Sequence, residues 1–177
     1  MQQGHLDLVH MQADEVRVKG CNMIAWMGEA SMVSTRLWLG GVVSLTRDRG
    51  LTARLLSQVH ACCQPLRALL VCTDGWNVYP GSIRRAFREK VKETVGRGRA
   101  CLRVWPQLCI AVGIKRTEKK RVVDITRKLV QGTLEQAQAL LSAAHAGTAF
   151  NKVAAVKQLY GTNVNAVGRV GGSRLKL

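Results

Sequence analysis

The stretch Ala68-Leu69-Leu70-Val71-Cys72-Thr73-Asp74-Gly75-Trp76 constrains the chain more than any other. An uninterrupted apolar run leads directly to one acid. Such a run predicts a strand over 67–73, central in its sheet and buried on both faces. Packing fixes a strand of that kind, so a carboxylate at its tip is held without further support. An Asp before Gly at a strand end also reads as a turn former. Both readings stand at this point.

The segments before it have a strand period. Leu8–Lys19 alternates through Val9, Met11, Ala13, Val16 and Val18, with a slip of phase at Asp14-Glu15. Met23–Val33 and Thr35–Leu45 predict a second and third strand. Tight connections such as Gly20-Cys21-Asn22 make the three an antiparallel meander. Gly40-Gly41 marks a bulge or a close approach. Leu51, Leu55, Leu56 and Val59 then recur at helical spacing, which predicts a helix over 51–63 ended by Pro65.

After the central strand, Ile83, Phe87 and Val91 fall at four-residue steps and predict a helix over 81–93. Its other face carries Arg84, Arg85, Arg88, Lys90 and Lys92. Gly96-Arg97-Gly98-Arg99 reads as a basic loop. Leu102–Trp105 and Leu108–Ile114 read as short strands, Lys115–Arg121 as a dense charge run, and Leu134–Ala144 as an alanine-rich helix. The expected class is α/β, a mixed sheet of three antiparallel strands then parallel strands, flanked by helices. Residues 1–150 form the expected domain and residues 1–5 a frayed end. From residue 136 to the last there is no acid and there are five basic residues, so 151–177 is expected to be a basic, glycine-containing, disordered tail.

Charge bears on the partner. Of the 177 residues, 27 are Lys or Arg and 11 are Asp or Glu, a formal net charge of +16. That balance favours polyanions, nucleic acid above all, because each phosphate contact releases counterions. Arg84, Arg85, Arg88, Arg97, Arg99, Lys115, Arg116, Lys119 and Lys120 are the candidate DNA contacts. No apolar run approaches the roughly 20 residues that span a bilayer, and no signal peptide is visible, so no membrane partner is expected. None of the six cysteines forms a Cys-x-x-Cys pair, which argues against zinc. Cys72, Cys101 and Cys109 read as small core residues suited to a reducing cytoplasm. Trp26, Trp38 and Trp105 read as core, Trp76 as a stacking candidate beside Asp74. His60 and His145 have no acid within sequence reach.

A crossover helix lets the central strand pair in parallel with the first. Asp14, in the middle of strand one, then lies beside Asp74. Two close carboxylates repel unless a cation sits between them. Mg²⁺ (or Mn²⁺) suits oxygen ligands of this kind, and in a basic protein points to phosphodiester chemistry. Glu15 neighbours Asp14, but strand alternation sends it to the other face. Glu135 reads as a surface residue and Asp48 as a turn residue.

Several runs in order resemble one family. They are Gln12-Ala13-Asp14-Glu15-Val16-Arg17-Val18-Lys19, Thr35–Val43, Asp74-Gly75-Trp76-x-x-Tyr79-Pro80, Arg85–Val91 and Gly147-Thr148-Ala149-Phe150-Asn151. Together they are similar to the catalytic core of bacterial insertion-sequence transposases of the DDE type, over roughly residues 10–151. The resemblance implies a ribonuclease-H-like fold, with Asp14 and Asp74 as catalytic metal ligands. It also implies cleavage at transposon ends and strand transfer into target DNA, in the bacterial cytoplasm beside the nucleoid, by a chain able to form homo-oligomers. Two departures accompany it. The core pattern begins near residue 10, with no helix-turn-helix region before it. The family's third acid, a Glu after the Asn of Gly-Thr-x-x-Asn, has no counterpart in Lys152–Tyr160. A frameshift near codon 151 would account for that and for the change in composition. The expected enzyme is therefore an impaired one. The alternatives are a non-catalytic basic DNA-binding remnant and a structure-specific nuclease.

Overall fold

The computed structural model describes residues 6–20, 23–91, 100–119 and 121–145. The protein is an α/β structure built on a six-stranded mixed sheet. Three long antiparallel strands come first: β1 (His10–Gly20), β2 (Met23–Met32) and β3 (Trp38–Ser44). Helix α1 (Arg49–Cys62) crosses over to β4 (Leu69–Asp74). Helix α2 (Val78–Ala86) leads to a small hairpin, β5 (Arg88–Val91) with β6 (Cys101–Val104). β7 (Leu108–Glu118), β8 (Arg121–Gln131) and α3 (Leu134–His145) follow. The strand order in the large sheet is β3-β2-β1-β4-β7-β8.

β4 lies between β1 and β7 and runs parallel to both. Its alternate residues serve two cores. Leu69 and Val71 join the cluster under α1 and α2, with Leu51, Leu55, Leu56 and Val59 of α1 and Tyr79 and Ile83 of α2. Leu70 faces the other way and packs with Cys109, Ala111 and the Ala137, Leu140 and Leu141 stripe of α3. A strand covered on both faces must be apolar throughout, which is why 68–72 has no polar residue.

Local chemistry sets the helix limits. Asp48 is the N-cap of α1, accepting a 3.0 Å hydrogen bond from the Leu51 N–H. It thus ends the turn in which it was expected by starting a helix. The Thr46 hydroxyl, then the Leu51 N–H, hold its carboxyl below the ordinary carboxylate range. Gly40 and Gly41 mark close approach. A Cβ on Gly41 would stand 2.6 Å from the Trp38 ring, and one on Gly40 would stand 2.7 Å from the Gln58 side chain.

The expected helix over 81–93 is corrected. α2 ends at Ala86, and Arg88 and Lys90 lie on β5. Phe87 is the break. Its N–H still donates to the Ile83 carbonyl, but its own carbonyl accepts from the Trp105 N–H at 3.0 Å, and its ring meets Trp105 edge-on at 5.1 Å. Tertiary pairing with β6 overrides the four-residue period. Of the charge run, Lys115–Glu118 lies on β7 and Arg121 opens β8, with which β7 pairs.

Trp38 is 64% exposed rather than core, lying on the edge strand β3 with its indole N–H donating to the Gly40 carbonyl. Cys101 is exposed on β6, Cys72 is half-buried, and only Cys109 of the three is fully buried. Burial pushes the Cys63 thiol up to about 12 and raises Cys109 as well. At pH 8 a disulfide-exchange reagent should therefore modify Cys101 promptly and reach Cys63 and Cys109 only after unfolding. Prompt loss of all three thiols in the folded protein would contradict this packing. Residues 1–5, Lys92, Arg97, Arg99, Lys120 and the 151–177 tail lie outside the described residues.

Candidate metal centre and nucleic-acid interface

The parallel register of β1 and β4 pairs Gln12 with Cys72 and Ala13 with Thr73. The next residues along the two strands are Asp14 and Asp74. The juxtaposition expected from the crossover is therefore present. In-register residues of parallel strands share a face, so both acids belong to the α3 side of the sheet. Glu15 belongs to the α1/α2 side, as alternation requires. Its carboxylate nevertheless joins the other two: one ligand oxygen from each of Asp14, Glu15 and Asp74 falls within 4.8 Å of the others.

The strand end permits this. β4 stops at Asp74, whereas β1 runs on through Glu15–Gly20 and β7 through Ile114–Glu118. Beyond Asp74 no strand divides the two faces. Two strand spacings leave about 10 Å between β1 and β7 there. The three carboxylates meet over this recessed edge. Backbone N–H groups steady two of them, Glu15 N–H on Asp14 Oδ1 at 2.8 Å and Trp76 N–H on Asp74 Oδ1 at 3.0 Å. The bond to Asp74 is the turn-former geometry, so the residue that shapes the turn is also a member of the carboxylate cluster.

Two residues to which the sequence reading gave no role, Arg47 and Tyr79, complete the surroundings. Arg47, in the turn before α1, donates from Nε to Glu15 Oε1 at 2.7 Å and also from Nη2 to the same oxygen. Its Nη2 is 3.8 Å from Asp74 Oδ2. Its guanidinium lies over Trp76 at 4.4 Å and over Trp26 at 5.1 Å from the ring centres. Tyr79, in the first turn of α2, is fully buried against the Glu15 carboxylate. Neither the Tyr79 hydroxyl nor Glu15 Oε2 completes a hydrogen bond of good geometry. Burial first, then Glu15, Asp74 and Asp14, push the Tyr79 hydroxyl far up, so it stays protonated as a donor. The signal for Glu15 was the Asp-Glu pair itself, at the point where β1 outruns β4.

The Glu15 side chain is only 1% exposed. Burial raises its pKa above the ordinary 4.5, partly offset by Arg47 and Tyr79, with Asp74 adding to the rise. The folded state then holds this proton more tightly than the unfolded chain does. The stabilisation is complete below pH 4.5 and is lost as pH rises through the folded value. In chelator, the melting temperature of Glu15→Gln relative to wild type should therefore climb as pH goes from about 4.5 towards neutrality. A difference that stays flat with pH would show that Glu15 is not held this way.

The candidate cations are spread unevenly over the protein. Lys115, Arg116 and Lys119 are exposed on the projecting β7–β8 hairpin, with Arg116 paired to Glu118 at 2.7 Å. Arg85 and Arg88 are exposed at the end of α2 and on β5. Arg84 is committed elsewhere, since its Nε donates to Gln131 Oε1 at 2.7 Å and ties α2 to β8. Trp76 is partly buried beneath Arg47, with its ring edge-on to Tyr79 at 5.6 Å. Glu135 is exposed, as expected. His60 does have an acid partner: Glu89 Oε1 is 3.6 Å from its Nε2, and the Trp105 indole N–H donates to the same oxygen at 3.3 Å.

No protein-family model matches the sequence, and a search of curated proteins returns no match. Among the described residues, no helix is long and apolar enough to cross a membrane.

Proposed function

We propose that the protein is the catalytic core of a DDE-type insertion-sequence transposase, acting on DNA by metal-dependent phosphodiester cleavage and strand transfer. One observation carries this reading: Asp14, in mid-β1, and Asp74, at the end of β4, directly follow the last register pair of two parallel strands, and a third carboxylate lies within 4.8 Å. The strand order supports it. The antiparallel strands β3, β2 and β1, then β4 and β7 parallel to β1, make the arrangement expected of a ribonuclease-H-like sheet.

The residues fit a hard divalent cation. Every donor is a carboxylate oxygen, and Glu15 Oε2 and the Tyr79 hydroxyl are buried polar atoms that complete no hydrogen bond of good geometry. Asp14 and Asp74 would hold Mg²⁺ or Mn²⁺. When bound, such an ion activates a water or a 3′-hydroxyl and stabilises the leaving oxygen. The protein's part is positional. Backbone N–H groups orient the two aspartates, and Lys115, Arg116 and Lys119 on the projecting hairpin supply phosphate contacts that set the DNA against the recessed strand end.

The test is nicking of supercoiled plasmid with Mg²⁺ or Mn²⁺, compared with Asp14→Asn and with chelator. Cleavage that needs both the metal and Asp14 supports the reading. Joining that also needs particular DNA ends marks a transposase rather than a general nuclease. A second reading is favoured by Arg47, which already neutralises part of the cluster. On it the chain is a basic DNA-binding remnant, and would bind plasmid in a strongly salt-dependent way without nicking it.

A further inference from the structure

Arg47 occupies an unusual position for a surface arginine. It stands before α1 with its side chain 34% exposed, yet its guanidinium is directed into the carboxylate group and lies over two tryptophans. Both of its bonds to Glu15 fall on Oε1, and Asp74 is 3.8 Å away. One positive charge thus serves a group of three carboxylates. Glu15 Oε2 and the fully buried Tyr79 hydroxyl face each other but complete no hydrogen bond of good geometry. Buried polar atoms of this kind signal a missing partner. The guanidinium fork could bind both oxygens of a carboxylate, yet here both of its donors go to Oε1. A small divalent ion carries twice the charge.

We propose that Arg47 is a resident counter-ion which a divalent cation displaces, and that its withdrawal frees Glu15 to act with Asp14 and Asp74 as the third carboxylate ligand. The proposal rests on the metal reading above and adds to it a ligand and a competitor. It supplies, from within β1, an acid that the region after Asn151 lacks. Withdrawal needs no unfolding. Arg47 sits in a turn outside α1, and its partly exposed side chain rotates into water while Asp48 keeps its cap on the helix. The buried Tyr79 hydroxyl stays below, facing Glu15.

The experiment is a titration of Mn²⁺ into the full chain, followed by loss of the free-ion paramagnetic resonance signal. Arg47→Gln should bind Mn²⁺ about tenfold or more tightly than wild type, because the competitor is gone. Adding Glu15→Gln should abolish that gain, and Asp14→Asn should weaken binding in every background. If Arg47→Gln binds no more tightly than wild type while Asp14→Asn still weakens binding, the metal reading stands and the counter-ion role is overturned. If no variant binds Mn²⁺, both fall. A readout on the wild-type chain is independent of how Arg47→Gln folds. Saturating Mg²⁺ should shift the tryptophan emission as Arg47 leaves Trp26 and Trp76. Mg²⁺ binding with unchanged emission would overturn the displacement.

Discussion

Asp74→Asn is expected to lower metal-dependent plasmid nicking by about 10²-fold or more, because a ligand and its charge are lost together. The amide is isosteric with the carboxylate. Its oxygen still accepts from the Trp76 N–H, so the turn after β4 should survive. Circular dichroism and the melting temperature should accordingly change little. Cleavage by Asp74→Asn at the wild-type rate would place the chemistry elsewhere. Asp74→Ala is the less informative change, because it also removes the acceptor that shapes the turn.

Phe87→Ala is expected to cost about 3–5 kcal/mol of folding free energy. A domain of this size has about 5–15 kcal/mol in all, so the variant should be marginal. Phe87 is fully buried. Its ring meets Trp105 at 5.1 Å and His60 at 5.7 Å, and its backbone joins the end of α2 to β6. Alanine would leave a cavity beneath α1 and loosen the β5–β6 hairpin together with it. Urea denaturation followed by tryptophan fluorescence measures the loss, and Phe87→Leu should lose much less. A change below about 1 kcal/mol for Phe87→Ala would mean that the site collapses to fill the space.

Much of the architecture was legible because period and burial coincide. The three antiparallel strands, the helix ending at Cys62 and the uninterrupted β4 each fall within a few residues of their expected limits. The pairing of Asp14 with Asp74 followed from one topological argument, the parallel pairing of a crossover strand with the first strand. The misreadings have a common source. Ile83, Phe87 and Val91 have a helical period, but Phe87 and the residues after it answer to Trp105 and β6 across the chain. Trp38 looks like core by type and alternation, yet its strand is the edge of the sheet. His60 has its acid partner in Glu89, a residue that only the packing of β5 against α1 brings near.

The candidate site divides in the same way. Asp14 and Asp74 could be found from the sequence because each is anchored by its own strand, and strand order is close to a one-dimensional property. Glu15 could not. Alternation places it on the opposite face, as observed, but a face ends where the neighbouring strand ends, and β4 stops short of β1. Arg47 and Tyr79 reach the cluster from a turn and a helix whose positions depend on how α1 and α2 pack on the sheet. The sequence by itself determined the first three strands, α1, the buried β4 and the two aspartates, since those depend on residue type and local period. The tertiary structure alone decided the third carboxylate, its cationic partner and the tyrosine beneath it, since those depend on where one strand stops beside another.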